Sequence, residues 1–146
     1  MEVHISAHLR DRLAALLCAA YPNEGGGFLL GTLDGSRITV RDVRPVNNVA
    51  RAEEQYHRFA MTPADWAALE DEADARGLSL VGYYHSHPDS PGVPSEYDRV
   101  HALPNFRYLI ASISGGALTD LRAWQLDADR SRFEELALHV EDDASV

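Results

Sequence analysis

The chain has 146 residues, enough for a single domain (residues 1–146) with one hydrophobic core, and 45% of them are apolar, which excludes an intrinsically disordered chain. Its net charge of −10 argues against a nucleic-acid partner, because binding to phosphates depends on clustered cations. No apolar run approaches the roughly 20 residues of a membrane span, and the N-terminal residues lack the apolar core of a secretory signal, so we expect a cytoplasmic protein without membrane contact. The single cysteine, Cys18, excludes internal disulfides and all-cysteine zinc sites.

A helix and a β-hairpin are predicted first along the chain. Residues 6–20 carry one apolar stripe at helical spacing, with Ser6 as the N-cap, and Pro22 ends the helix. Residues 25–33 and 37–46 read as two strands joined by a turn at Asp34-Gly35.

A second helix is predicted after a polar connection. Residues 56–61 alternate in polarity, which indicates an edge strand. An edge strand within residues 49–59 could pair with an extended substrate tail. Residues 62–77 then show the signals of a complete helix: Thr62 as cap, Pro63 as first helical residue, Asp65 completing a capping box and Gly77 at the end.

Strands dominate the second half of the sequence. Residues 78–87 are apolar enough for a central strand, and residues 95–103 read as a short helix ended by Pro104. Three further strands are predicted at residues 107–114, 120–127 and 132–140. Because strands outnumber helices and the helices fall between them, the fold class is α/β or α+β with a mixed sheet.

Two histidines stand at the end of the predicted central strand. Residues i and i+2 of a strand point to the same face, so the imidazoles of His85 and His87 can converge on one point. Zinc takes imidazole nitrogen at about 2.0–2.1 Å and, in catalytic sites, three protein ligands and a water molecule. The pair alone is also compatible with ordinary surface histidines, because neutral imidazole binds metal only when it is oriented.

Asp98 is the candidate for the third ligand, eleven residues after His87. Prolines and a glycine shape the intervening loop and can return the chain to the histidines. Ser95 and Asp98 also form a capping-box pattern, so taken alone they indicate a helix N-terminus. The histidine pair and the capping pattern together favour a metal site.

Glu24 is the candidate for a general base, because hydrolytic zinc needs a group that accepts the proton of its water molecule. It follows the first helix and precedes three glycines, residues 25–27, which permit positive φ and a close approach of backbone to a substrate. Without the histidines, Glu24 would be read as a solvated loop residue.

These residues together resemble the JAMM (MPN+) metalloprotease family. The chain contains the family's pattern E…H-S-H-P-x6-S-x-x-D, filled by Glu24, His85, Ser86, His87, Pro88, Ser95 and Asp98. The order of elements is also similar, so the resemblance covers most of the chain. It implies a cytidine-deaminase-like JAB/MPN fold, with a curved mixed β-sheet flanked by helices.

The resemblance also implies a division of chemical roles. His85, His87 and Asp98 would hold one zinc ion per chain, with water as the fourth ligand. Glu24 would take the proton of that water and pass it to the leaving amine, and Ser95 would help to stabilise the developing oxyanion.

Family members cleave peptide or isopeptide bonds after the Gly-Gly tail of ubiquitin or ubiquitin-like proteins. This chain resembles the small stand-alone prokaryotic members, several of which process ubiquitin-like sulfur-carrier proteins. The implied partner is therefore a ubiquitin-like or sulfur-carrier protein with a Gly-Gly tail, whose identity and bond type the sequence leaves open, as it does the oligomeric state.

Three other functions are alternatives to this one. A catalytically inactive MPN-type binding module for a ubiquitin-like partner remains the alternative, although inactive relatives typically lack some of these residues and none is missing here. A zinc deaminase needs a Pro-Cys-x-x-Cys ligand pair, which a chain with one cysteine does not have. A cysteine peptidase would need a reactive Cys18, but an apolar helix indicates a buried small side chain instead.

The other five histidines lack a partner at ligand spacing in the sequence, so we expect none of them to belong to a metal site. They are His4, His8, His57, His101 and His139.

Overall fold

The computed structural model describes residues 2–45, 63–103 and 105–142. The elements, in chain order, are β1 (Glu2–Ser6), α1 (Ala7–Ala20), β2 (Gly26–Asp34), β3 (Arg37–Pro45), α2 (Pro63–Ala75), β4 (Ser79–Pro88), α3 (Glu96–His101), β5 (Arg107–Ser114), β6 (Ala117–Leu126) and β7 (Phe133–Glu141). Among the described residues, no helix combines the length and the apolar character that crossing a membrane requires.

The strands form one mixed, curved sheet that closes on itself in the order β1-β3-β2-β4-β5-β6-β7. β1 runs parallel to both of its neighbours, β3 and β7, and β4 runs parallel to β5. The remaining neighbours are antiparallel. The predicted class, a mixed curved sheet with helices, is confirmed, whereas the closure of the sheet was not predicted.

Helices cover both faces of β2. Alternation along the strand places Leu29 in the main core, where it packs with Leu13 of α1. Phe28 and Leu30 point the other way and pack with Leu69 of α2. Because β2 is buried on both faces, its sequence is a nearly continuous apolar run rather than an alternating one.

Local signals in the sequence placed most elements correctly. Ser6 caps α1, since its Oγ accepts a hydrogen bond of 3.1 Å from the Leu9 N–H. Gly35 in the β2–β3 turn and Gly77 after α2 both have positive φ, a conformation that glycine adopts without steric cost. Thr62 and the predicted edge strand at residues 56–61 lie outside the described residues, as do the side chains of Pro63, Asp65 and His101.

β1 is a strand that the sequence analysis did not predict. Its buried residues Val3 and Ile5 alternate with polar ones and enter the main core. The strand is short, and its partners lie far along the chain, with Glu2 opposite Arg37 on one side and Ala137 on the other. A five-residue segment whose pairing is entirely non-local carries little local signal.

Candidate metal centre

The strand β4 brings the two predicted imidazoles together at its C-terminal end. It lies between β2 and β5, with His85 opposite Gly26 on one side and Ile110 on the other. His85 and His87 are both 8% exposed, and their Nε2 atoms are 3.2 Å apart. The alternation of side chains along a strand therefore produces the convergence that the sequence predicted.

Asp98 reaches the two imidazoles from the first turn of α3. Its Oδ1 lies 3.5 Å from His85 Nε2, and its Oδ2 lies 3.2 Å from His87 Nε2. The predicted capping box is also present: the Ser95 N–H donates to Asp98 Oδ2 (2.9 Å), and the Asp98 N–H donates to Ser95 Oγ (3.1 Å). Asp98 thus caps the helix and faces the histidines at the same time.

The spacing of these three side chains fits a tetrahedral zinc ion. Ligand atoms at about 2.0–2.1 Å from zinc stand about 3.3–3.4 Å apart along the edges of a tetrahedron. The two Nε2 atoms are 3.2 Å apart, and each lies at a similar distance from one oxygen of Asp98, His85 at 3.5 Å from Oδ1 and His87 at 3.2 Å from Oδ2. Two imidazole nitrogens and one carboxylate oxygen are also a donor set that zinc accepts.

The loop between β4 and α3 fixes the tautomer of His87. Its Nδ1 lies 2.9 Å from the carbonyl oxygen of Pro91, which can only accept a hydrogen bond. The proton of the neutral ring therefore sits on Nδ1, and the lone pair of Nε2 faces His85 and Asp98. A hydrogen bond of this kind orients a metal-binding imidazole.

Two buried side chains from the neighbouring strands hold this loop in place. Trp124 Nε1 donates to the carbonyl of Gly92 (3.0 Å), and Ser112 Oγ donates to the carbonyl of Ser90 (2.5 Å). Trp124 is not among the residues that the sequence motifs single out. Its hydrogen bond depends on the pairing of β5 with β6, which the local sequence does not specify.

Asp89 fixes the start of the same loop. It has φ of 54°, and its carboxylate accepts hydrogen bonds from Tyr21 Oη (2.7 Å) and the Gly115 N–H (2.9 Å). These two donors lower its pKa. The carboxylate thus connects the loop to the end of α1 and to the β5–β6 turn.

Glu24 lies beside the two histidines. Its carboxylate and the imidazole nitrogens of His85 and His87 offer ligand atoms within 4.8 Å of one another. Its Oε1 is buried and has no hydrogen-bond partner among the described residues. A buried carboxyl oxygen without a protein partner needs another polar partner, and a water molecule between Glu24 and the histidines would provide one.

A family model described as prokaryotic homologs of the JAB domain matches residues 6–127, which contain all of these side chains. The chain belongs to this JAB family. The resemblance inferred from Glu24 and the H-S-H-P motif is thereby confirmed.

Relatives and solved structures agree with this assignment. The chain is 35% identical to a desampylase of Haloferax volcanii over 82% of its own length and 80% of that protein. It is 32% identical to a probable TtuB-protein conjugate cleaving protease of Thermus thermophilus, over 79% and 73%. A solution structure from Desulfitobacterium hafniense covers 97% of this chain and 94% of its own at 25% identity, with a TM-score of 0.80. One from Salinibacter ruber covers 96% and 92% at 37% identity, with a TM-score of 0.72.

In this JAB-domain protein, Ser86 ties Glu24 to the histidine strand. Ser86 Oγ accepts a hydrogen bond from the Gly25 N–H (3.0 Å), and the Ser86 N–H donates to the Gly25 carbonyl (3.1 Å). Ser86 is fully buried. Its role is not evident from the sequence, because a serine between two histidines does not reveal which backbone it contacts.

The glycines after Glu24 serve the JAB fold differently from the prediction. Residues 25–27 do not have positive φ. A Cβ on Gly26 would lie 2.5 Å from Tyr83 Oη, and one on Gly27 would lie 2.3 Å from the Arg44 carbonyl oxygen. The close approach is therefore to the protein's own neighbouring strands.

The charges of the JAB site influence one another. Burial opposes ionisation of Asp98, but hydrogen bonds with His85 and His87 outweigh it and hold its pKa well below the usual range. Burial likewise opposes charge on His87, yet hydrogen bonds to Asp98 and the Pro91 carbonyl raise its pKa. Burial, followed by the charge of Asp98, raises the pKa of Glu24 to about 9. A bound cation would favour the ionised form of Glu24.

Proposed function

We propose that this protein is a zinc-dependent peptidase or isopeptidase that hydrolyses the bond after the C-terminal Gly-Gly of a ubiquitin-like or sulfur-carrier protein. One observation carries the proposal: a set of zinc-compatible donors on His85, His87 and Asp98 stands beside Glu24, whose Oε1 is buried and has no hydrogen-bond partner among the described residues. Metal ligands alone would make a binding site. A carboxyl group next to them, with one buried oxygen that no described protein group occupies, provides a base.

Each side chain has a defined role in the proposal. His85, His87 and Asp98 would hold the metal, and Pro91 keeps the Nε2 lone pair of His87 turned towards it. Zinc, when bound, supplies a Lewis acid and lowers the pKa of water. Glu24 accepts the proton of the attacking water and delivers it to the leaving amine.

Ser95 can donate a hydrogen bond in addition to capping α3. Its Oγ accepts a hydrogen bond from the Asp98 N–H, which leaves the hydroxyl proton for another acceptor. Ser95 is exposed at the start of α3, where a substrate carbonyl could approach. We therefore assign it to stabilisation of the oxyanion that forms during hydrolysis.

The substrate class follows from the relatives. The names of the two similar proteins, a desampylase and a TtuB-protein conjugate cleaving protease, both describe removal of a small protein modifier from its conjugates. Because this chain matches most of the length of both, we propose the same class of substrate. In the proposal residues 1–146 act as one JAB/MPN domain, which the single closed sheet supports.

The decisive experiment compares wild type with Glu24→Gln, loaded with zinc, on a sulfur-carrier fusion that continues beyond its Gly-Gly. Wild type should cleave after the second glycine, and Glu24→Gln should lose about 100-fold or more in turnover while its zinc content is unchanged. Glu134→Gln, an exposed substitution on β7, is the matched control and should behave as wild type.

Two outcomes would count against the proposal. Wild type that binds such fusions tightly but cleaves neither linear nor lysine-linked ones would instead be the inactive binding module. Glu24→Gln that retains full activity would remove Glu24 from the mechanism.

A further inference from the structure

A second cluster of histidines and carboxylates lies where the sheet closes. β1 and β7 run parallel there, with His4 opposite His139 and Ser6 opposite Glu141. Glu2 and His4 share one face of β1, and His139 and Glu141 share one face of β7, because side chains alternate along strands. We call Glu2, His4, His139 and Glu141 the seam cluster. The expectation that His4 and His139 lack partners is wrong: they are distant in sequence but adjacent in the sheet.

The side chains of the seam cluster contact one another closely. His4 Nε2 lies 2.6 Å from Glu2 Oε1, and its Nδ1 makes a short contact with Glu141 Oε1. His139 Nε2 lies 3.6 Å from Glu2 Oε2. The two imidazole rings are stacked, with centroids 4.6 Å apart. Arg37 Nη2 lies 3.6 Å from Glu141 Oε1.

Both ring nitrogens of His4 therefore face carboxylates. A neutral imidazole has only one N–H, so its other nitrogen would turn a lone pair towards carboxylate oxygen. His4 is buried, at 7% exposure, and the strand pairing holds it there. Either a second proton on the ring, which makes ion pairs with Glu2 and Glu141, or a metal cation between His4 and Glu2 removes this repulsion. The metal cation would leave the Nδ1 proton to Glu141.

The neighbours of His4 are suited to such a cation. Glu2, His4 and His139 offer ligand atoms that lie within 4.8 Å of one another. The side chains of Glu2 and His139 are 39% and 46% exposed, so both can adjust around an ion, Glu2 by moving slightly away from His4, whereas His4 is fixed. Glu141 then supports the metal-binding ring of His4 through its Nδ1, the carboxylate–histidine–metal arrangement that strengthens an imidazole ligand.

We propose that Glu2, His4 and His139 form a second divalent-metal site, oriented by Glu141. Two imidazoles and one carboxylate suit zinc or another late first-row ion. The site shares no residue with the centre at the end of β4. It joins the first strand of the sheet to the last, and its role is to stabilise that closure.

The test counts zinc in the full chain, stripped with a chelator and then dialysed against low-micromolar zinc. Wild type should hold about two zinc ions per chain, and His139→Ala should hold about one. His85→Ala should also hold about one, and the double variant none. His8→Ala, which removes an exposed imidazole from α1, is the control and should bind as wild type.

Thermal unfolding provides a second measurement that does not depend on activity. In the His85→Ala background, zinc should raise Tm by about 5 °C or more, because the metal binds only the closed sheet. That shift should disappear when His139→Ala or Glu2→Gln is added. Both side chains are partly exposed, so these variants retain the fold.

The two single variants, His139→Ala and His85→Ala, distinguish this metal site from the proposed catalytic one. If His139→Ala binds as much zinc as wild type and shows the same zinc-dependent Tm, the seam cluster forms ion pairs without binding metal, and the inference is wrong. If His85→Ala leaves the zinc content unchanged while His139→Ala lowers it, the seam site stands and the catalytic metal fails.

Discussion

Ser86 and Gly25 are joined by two hydrogen bonds, from the Gly25 N–H to Ser86 Oγ and from the Ser86 N–H to the Gly25 carbonyl. The first is made by the side chain of the residue between His85 and His87, which points to the opposite face of β4 from the two imidazoles. The second continues the pairing of β4 with β2. Together they fix the residue that follows Glu24 to the strand that carries His85 and His87, so the base and the metal ligands share one rigid frame.

Ser86→Ala tests this connection. The substitution leaves the partly buried Gly25 N–H without its acceptor, which should lower the free energy of unfolding by about 1 kcal/mol. Turnover should fall about 10- to 100-fold, because a small displacement of Glu24 misaligns proton transfer, while zinc content stays at the wild-type value. Ser6→Ala is matched in chemistry: it also removes a hydroxyl that accepts from a backbone N–H, but at the start of α1. Ser6→Ala should lower the free energy of unfolding by a similar amount and leave turnover unchanged. Equal turnover in Ser6→Ala and Ser86→Ala would refute the role of Ser86 in positioning Glu24.

Ser95 should show two separable effects. Ser95→Ala removes both the cap of α3 and the hydroxyl donor, so it should lose about 1 kcal/mol of stability and most of the turnover. Ser95→Asp keeps an acceptor for the Asp98 N–H but offers no donor at neutral pH. It should recover stability without recovering turnover, as measured by urea unfolding and the cleavage assay. Recovery of both by Ser95→Asp would show that Ser95 acts only as a cap.

Asp42 connects β3 to both long helices. Its carboxylate accepts hydrogen bonds from Arg12 of α1 (2.7 Å) and from Arg76, the residue directly after α2 (2.9 Å). Burial alone would raise the pKa of Asp42, but the bonds from Arg76, the Val43 N–H and Arg12 lower it. The stabilisation is therefore present above the unfolded pKa of about 3.9 and is lost as pH falls through the lower folded pKa.

Asp42→Asn should consequently destabilise the protein by about 1–2 kcal/mol at pH 7, a value limited by the partial exposure of both arginines. The difference in free energy of unfolding between Asp42→Asn and wild type should become smaller as the pH is lowered towards 3, as measured by urea unfolding at several pH values. Asp120→Asn, at an ion pair with Arg122 in which both side chains are 40% exposed, should change stability by no more than about 0.5 kcal/mol. If the loss of stability in Asp42→Asn does not depend on pH, the stabilisation does not come from the charge of Asp42.

Gly82 lies where β4 approaches β5 too closely for any side chain. A Cβ there would lie 1.9 Å from the carbonyl oxygen of Arg107. Gly82→Ala should therefore cost about 3 kcal/mol or more, because the two strands must separate. Gly35→Ala meets no atom within 4 Å and strains only the positive φ of its turn, so about 1 kcal/mol is expected. Comparable Tm values for the two variants would show that the sheet accommodates the added methyl group.

The sequence predicted what depends on neighbouring residues. The Ser6 cap, the turn at Gly35 and the end of α2 at Gly77 follow from the preferences of a few adjacent side chains. The convergence of His85 and His87 follows from the two-residue period of a strand. The approach of Asp98 was predicted because loop and capping box lie within one short segment.

Features that depend on distant pairing were missed. β1 is held by β3 and β7, and nothing within its five residues indicates those partners. The meeting of His4 with His139 arises from the same pairing. The roles of Ser86 and Trp124 depend on which backbone atoms the neighbouring strands present to them. Each of these contacts is specified by register, which only the assembled sheet defines.

The pairing of β1 with β7 also orders the events of synthesis. Every contact among Glu24, His85, His87 and Asp98 can form once β5 has emerged from the ribosome, yet β1 keeps one unpaired edge until residue 141 has been translated. A nascent chain halted before β7 would expose two strand edges, those of β1 and β6, to pairing with other chains. Premature termination in the last segment should thus yield aggregates even though every residue of the H-S-H-P motif is present.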